Sequence, residues 1–172
     1  MLFRGCATAL VTPFRECGKI DYTSLAQMIE RQLACGVKTL VVCGTTGEAS
    51  TLSAVEKKVL IGFTVKAVGG RGTVIAGIGS NCTRTAIENA IRAQKLGADA
   101  LLAVTPYYNK CTQSGLVAHY GAICAAVDLP VMCYNVPSRT GVNICLSTYR
   151  ELLNIRNLVA VKEASEDLTQ IA

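Results

Sequence analysis

A chain of 172 residues that is 51% hydrophobic and only 17% charged can bury a substantial core, which excludes a disordered or low-complexity protein. Its net charge of +5 is modest and its lysines and arginines are scattered without a basic run, so nucleic acid is not an expected partner, whereas small anionic substrates suit the balance. No stretch reaches the roughly 18 unbroken apolar residues of a membrane span, and Met1-Leu2-Phe3-Arg4-Gly5 lacks the charged start and apolar core of a signal peptide.

In chain order, a first strand is expected over about Gly5 to Val11, ended by Thr12-Pro13-Phe14. Asp21 is a plausible N-cap for a helix running to Cys35, which Gly36 terminates. Thr39 to Val42 reads as the second strand and runs into Cys43-Gly44-Thr45-Thr46-Gly47-Glu48. Ser53 and Glu56 have capping-box spacing and open a helix that ends at Gly69-Gly70. A third strand is expected over Thr73 to Ala76, then a helix ending at Leu96-Gly97. The fourth strand, Ala100 to Val104, is followed by Thr105-Pro106-Tyr107-Tyr108-Asn109, and a helix from about Ser114 to Val127 precedes the fifth strand, Val131 to Tyr134. After Asn135-Val136-Pro137-Ser138-Arg139-Thr140-Gly141 comes a short helix, Ser147 to Leu153. The sixth strand, Leu158 to Val161, reads as buried because all four residues are apolar and two are β-branched; Lys162 closes it, and another helix begins before Ala172.

Strict βα alternation at intervals of about 27–34 residues implies a parallel sheet with helical crossovers. A doubly wound sheet is complete at this length, whereas a (β/α)8 barrel has about 31 residues per unit. Residues able to do chemistry follow strands two, four, five and six. An open sheet would spread them over roughly 20 Å, at about 4.8 Å per strand, while a barrel gathers them at one mouth. The glycine-rich phosphate loop of a nucleotide-binding sheet is missing after strand one. The expected fold is therefore an incomplete (β/α)8 TIM barrel with about six of eight strands, and residues 1–172 are expected to form a single catalytic domain, C-terminally truncated. Left open after six strands, such a chain would carry unpaired edges and an exposed apolar patch, so that 1–172 expressed alone is expected to associate and to be poorly active.

The nine cysteines are odd in number, dispersed, and never in Cys-x-x-Cys, which argues against a disulfide framework or a zinc site; they are read as buried small hydrophobes in a reducing cytoplasm. No metal or organic cofactor is expected. The only histidine, His119, falls in an expected amphipathic helix and is read as structural.

A lysine closing an apolar strand is either a snorkelling surface residue or an amine held in an apolar pocket, where desolvation disfavours the ammonium form and leaves a nitrogen able to attack a ketone. Gly44-Thr45-Thr46-Gly47-Glu48 is either a tight βα turn or a loop whose backbone N–H groups and hydroxyls hold a carboxylate. Tyr134 is either a wall aromatic or a proton relay, and Arg139 either a solvated loop charge or a bidentate carboxylate grip. Tyr107-Tyr108 is a packing pair or reaches the site or a neighbouring subunit.

Gly44-Thr45-Thr46-Gly47-Glu48, Tyr134-Asn135-Val136-Pro137-Ser138-Arg139-Thr140-Gly141 and Val161-Lys162-Glu163-Ala164, in this order and each on a strand end, resemble the dihydrodipicolinate synthase family of pyruvate-dependent class I aldolases. The Arg139-Thr140-Gly141 ending resembles the synthases more than the related N-acetylneuraminate lyases. The resemblance implies that Lys162 forms a Schiff base with pyruvate, that Tyr134 shuttles protons, and that Thr45 links Tyr134 to Tyr108, the latter reaching into the site of a partner subunit. It implies that Thr46 holds the pyruvate carboxylate and Arg139 that of aspartate semialdehyde, in the diaminopimelate route to lysine, within a cytoplasmic homo-oligomer that is a dimer or dimer of dimers. The alternatives are another pyruvate aldolase, such as an N-acetylneuraminate or keto-sugar-acid lyase, or a non-catalytic barrel fragment. Lys110-Cys111 departs from the proline the family usually has after the tyrosine pair.

Some members of this family are inhibited by lysine at the dimer interface. Asn81 and Tyr107 match that site, but Thr85 stands where a glutamate takes the ligand's ammonium, and Ala54 and Lys57 replace histidines. An ammonium buried without its carboxylate and facing Lys57 is unfavourable. Steady-state assays of the complete enzyme are therefore expected to show weak or no inhibition by lysine; half-inhibition at micromolar lysine would refute this.

Overall fold

The computed structural model describes residues 4–172, so the signal-peptide reading of Met1–Phe3 lies outside the described residues. Strands alternate with helices: β1 (Ala7–Ala9), α1 (Tyr22–Ala34), β2 (Thr39–Val42), α2 (Ala54–Val68), β3 (Thr73–Gly77), α3 (Thr83–Lys95), β4 (Ala100–Val104), α4 (Gln113–Ala125), β5 (Val131–Asn135), α5 (Pro137–Thr140), α6 (Leu146–Leu152), β6 (Leu158–Glu163) and α7 (Leu168–Ile171). The chain divides into two compact units, one containing the described part of Phe3–Gly77 with Ala93–Ala100, the other Ile78–Arg92 with Leu101–Ala172.

In the first unit, parallel pairing sets Ala7 against Thr39 and Thr39 against Thr73. The helices start where side chains take up free N–H groups. The Asp21 carboxylate accepts from the N–H of Thr23 at 3.0 Å and of Ser24 at 3.2 Å. Ser53 and Glu56 form a reciprocal capping box. Left-handed Gly36 follows α1, and Gly69 ends α2 in the same conformation. Leu25 and Ile29 of α1, Leu40 of β2, Leu60 of α2 and Ile75 of β3 are fully buried.

In the second unit, Leu101 pairs with Val131 and Val104 with Tyr134. Leu116, Tyr120 and Ile123 of α4 are buried, and the Tyr120 hydroxyl donates to the Ala103 carbonyl at 3.1 Å, so the one polar atom of the ring is satisfied inside the core. Asn157 ties the end of α4 to the entry of β5, its amide donating to the carbonyls of Cys124, Val127 and Leu129. His119, 3% exposed, has its Nδ1 2.8 Å from the Thr83 hydroxyl, a structural setting; burial lowers its pKa.

Strand order follows chain order in each unit, β1-β2-β3 and β4-β5-β6, with no reversal of the kind that marks a doubly wound sheet. Six parallel strands in this order, alternating with helices, are an incomplete (β/α)8 barrel.

Two expectations are corrected. The sixth strand is not buried throughout: Val159 and Val161 are about half exposed, because alternate side chains of a strand point to opposite faces and these two line a groove beside Leu146, Tyr149 and Leu153. The cysteines are all free thiols, but only Cys43, Cys124 and Cys133 are buried; Cys6, Cys17, Cys35, Cys82 and Cys145 are exposed because they lie just before a strand, in a turn or at helix ends rather than on core faces. Burial pushes the thiols of Cys43 and Cys124 up to about 11 and that of Cys133 up to about 12.

Glycine is obligatory at the end of β3, where a Cβ on Gly77 would overlap the Cys43 carbonyl. Gly121, within α4, has open space at the same position. Gly77→Ala is therefore expected to unfold or displace the β2–β3 pairing, whereas Gly121→Ala raises stability by roughly 0.5–1 kcal/mol. Urea denaturation of the two variants checks this contrast.

Candidate active site

Lys162 and Tyr134 occupy facing positions of the parallel β5–β6 ladder, and the lysine Nζ lies 4.0 Å above the centre of the tyrosine ring. Tyr134 is buried while Lys162 is only partly covered. The negative π face of a phenol accommodates an ammonium, and equally an iminium formed on the same nitrogen. The Tyr134 carbonyl accepts the N–H of Thr105, so the strand end is held by β4 on one side and β6 on the other.

The loop carrying Tyr108 docks on the turn carrying Arg139: the Tyr108 N–H donates to the Thr140 carbonyl at 3.3 Å. The Thr140 hydroxyl is buried and donates within its own turn to the Val136 and Val142 carbonyls, which shapes that turn. The Tyr108 side chain is 89% exposed and Arg139 is exposed. Arg139 sits in α5, a single helical turn with Pro137 at its start, rather than in an irregular loop.

Thr45 and Thr46 belong to the first unit, in a 3-10 turn, Thr45–Gly47, directly after β2. Both side chains are exposed. Cys43 and Glu48, on either side of Gly44–Gly47, have φ of 55° and 57°, a left-handed backbone uncommon for non-glycine residues. The Gly47 carbonyl accepts from the buried Thr12 hydroxyl at 2.7 Å.

Sequence reasoning missed a cluster on the opposite face of β6. Asn135, fully buried, donates its amide to Asn143 Oδ1 at 2.7 Å and to Glu163 Oε1 at 2.9 Å, while its Oδ1 accepts the Ile144 N–H at 3.1 Å. Glu163 also accepts from the Tyr149 hydroxyl at 2.7 Å and the Ser165 N–H at 2.9 Å. The only sequence signal was position: Asn135 and Glu163 each follow a motif residue by one. Burial pushes the Glu163 carboxyl up, but the hydrogen bonds from Tyr149, Ser165 and Asn135 outweigh it and hold the group below its ordinary value. Burial, then the Glu163 hydrogen bond and charge, drive the Tyr149 phenol far above its ordinary value. The pair is thus an ionised acceptor and a neutral donor.

Among the described residues, no group of three or more His, Cys, Asp and Glu side chains is placed to hold a metal ion, and no helix is long and apolar enough to cross a membrane.

Ordered parallel βα units with polar side chains on the strand ends define the (β/α)8 barrel class. Within that class, residues 2–172 match the model of the Dihydrodipicolinate synthetase family, and the chain belongs to that family. It is 50% identical over 172 residues to the 4-hydroxy-tetrahydrodipicolinate synthase of Lachnoclostridium phytofermentans, covering 99% of this chain and 58% of that protein. The crystal structure of dihydrodipicolinate synthase from Thermotoga maritima superposes with a TM-score of 0.96 at 44% identity, over 99% of this chain and 58% of that one. The chloride-inhibited dihydrodipicolinate synthase of Acinetobacter baumannii, solved in complex with pyruvate, gives 0.95 at 46% identity, over 96% and 57%. The chain therefore spans somewhat under three fifths of the length of these relatives.

The depressed pKa of Glu163 means that its stabilising contribution is present above the ordinary glutamate value of 4.5 and is lost as pH falls through the folded value. In urea titrations the stability advantage of the parent chain over Glu163→Gln is expected to be full at pH 6 and to shrink by about pH 3.5. An advantage equal at both pH values would show that the carboxylate charge plays no part.

Proposed function

We propose that this chain carries the imine-forming chemistry of a 4-hydroxy-tetrahydrodipicolinate synthase, condensing pyruvate with L-aspartate 4-semialdehyde in the diaminopimelate route to lysine. The observation that carries the reading is the Lys162 amine lying 4.0 Å over the Tyr134 ring at the end of β6. The family membership and the pyruvate complex of the Acinetobacter baumannii relative support it.

The Lys162 nitrogen attacks the ketone carbon of pyruvate, and the carbinolamine loses its hydroxyl as water when Tyr134 relays a proton to it. The iminium is an electron sink, so the pyruvate methyl gives up a proton and becomes the nucleophilic carbon of an enamine. That carbon bonds to the aldehyde carbon of the semialdehyde, whose oxygen takes a proton. The semialdehyde amine then adds to the imine carbon, closing the ring and releasing Lys162. Thr46 binds the pyruvate carboxylate, and Arg139 grips the second carboxylate in the bidentate manner open to a guanidinium. Thr45 links Tyr134 to Tyr108, which comes from the partner subunit of a homo-oligomer, a dimer or dimer of dimers. Residues 1–172 belong to a single catalytic barrel domain.

Borohydride reduction of the complete protein in the presence of pyruvate is expected to leave one pyruvyl adduct on Lys162, located by peptide mass mapping and absent in Lys162→Ala. An adduct on another lysine would overturn the assignment. Condensation of pyruvate with aspartate semialdehyde, against cleavage of N-acetylneuraminate, separates synthase from lyase; cleavage alone would overturn the synthase reading.

A further inference from the structure

Strand β6 carries an irregularity that makes its pairing a matter of choice. Val131 pairs with Leu158 but Met132 pairs with Ala160, so one residue of β6, Val159, is extra. Beyond such a bulge the register is no longer dictated by the residues before it. A slip of one residue would exchange the two faces of the strand and set Val161 or Glu163 beside Tyr134 in place of Lys162. Something downstream selects the observed register.

From this geometry we propose that Glu163 is a positioning residue: clamped to Asn135 and Tyr149, it fixes the β5–β6 register one position beyond Lys162 and so holds the amine over the Tyr134 ring. Asn135 and Glu163 are facing partners in the ladder, adjacent to the Tyr134 and Lys162 pair. Side chains alternate along a strand, so the clamp lies on one face and the amine on the other. The carboxylate is shared among elements that must agree on its place: Asn135 at the end of β5 at 2.9 Å, Tyr149 of α6 at 2.7 Å, and the Ser165 N–H of the following turn at 2.9 Å. The Ala164 N–H donates to the Asn135 carbonyl at 2.9 Å, continuing the same register past the strand. Asn135 has no spare capacity to compensate, since its Oδ1 is taken by the Ile144 N–H and its other amide hydrogen by Asn143. Removing the carboxylate leaves one amide hydrogen of the buried Asn135 and the Tyr149 hydroxyl without their acceptor, and relaxation of the strand end is the way to rehydrate them.

The catalytic consequence rests on the Schiff-base reading above; the geometric one does not, and the test separates them. Protein reductively methylated with 13C-formaldehyde gives a Lys162 methyl signal, assigned by its loss in Lys162→Arg, that the Tyr134 ring current shifts upfield. Borohydride trapping with pyruvate on unmethylated protein gives the rate of imine formation at Lys162. Glu163→Ala is expected to move the methyl signal toward that of free dimethyl-lysine and to slow trapping about tenfold or more, since misplacement by about 1 Å costs on the order of a hundredfold. Glu163→Gln is expected to restore the shift and to trap within about threefold of the parent, because its oxygen can serve Asn135 and Ser165 while its amide donates to Tyr149. Should the alanine variant not fold, Glu163→Asp keeps the charge but is one methylene too short to reach both Asn135 and Tyr149; an intermediate shift and several-fold slower trapping are expected. An alanine or aspartate variant with the parent's methyl shift and trapping rate overturns the proposal. A methyl shift that moves as expected in a protein that forms no adduct at Lys162 upholds the positioning role and overturns the synthase reading instead.

Discussion

The placement of one amine depends on a ladder with a built-in ambiguity. Parallel β pairing is a weak selector of register by itself, because every rung offers the same N–H and C=O groups. What distinguishes one register from the next is the side chains that each brings together. Here the favoured rung brings a cation to a π face on one side and a saturated carboxylate–amide–phenol cluster to the other. The cation–π contact is worth about 0.5–1 kcal/mol where water reaches it, and Lys162 is only partly covered. Hydrogen bonds to an ionised group are individually stronger, about 1.5–3 kcal/mol, and leaving their donors buried and unpaired costs a comparable amount. By magnitude, the outer cluster decides the register and the inner pair follows from it.

That division explains what was legible in the sequence. The apolar run ending in Lys162 left a surface lysine and a pocket amine both open, and the resemblance of Val161-Lys162-Glu163-Ala164 singled the residue out, whereas Asp21, Ser53 with Glu56, Gly36 and Gly69 announced helix ends because capping is local chemistry within a few residues of chain. Asn135 and Glu163 stood inside the quoted motifs but were silent. Their contact spans 28 residues and depends on a bulge at Val159, which nothing in Leu158-Val159-Ala160-Val161 marks. Tyr149 was harder still, because a tyrosine in a short helix carries no local sign of the carboxylate it faces.

The misread features share a cause. An apolar strand reads as buried when both faces are assumed covered, yet covering is a property of the neighbours and not of the strand, and Val159 and Val161 are about half exposed. Cysteine is among the most often buried residues, so counting favoured burial for all nine. The exposed ones, such as Cys17 in its turn and Cys35 at the end of α1, follow local geometry instead.

Backbone conformation points to the same strand ends without reference to any side chain. Among the described residues, the non-glycine residues with positive φ are Cys43 and Glu48 after β2, Tyr108 and Lys110 after β4, and Glu166 after β6. Each such residue costs about 1–3 kcal/mol and persists only where the surroundings impose it, most often at sites where a chain must present groups in a particular direction. None of them falls at the other ends of the strands, where the incoming helices connect. In a (β/α)8 barrel the C-terminal strand ends are the ones that carry chemistry, and the opposite ends carry stability. The strain therefore lies beside the residues to which a role is proposed, with Cys43 and Glu48 flanking Thr45 and Thr46, Tyr108 itself left-handed, and Glu166 shortly after Lys162.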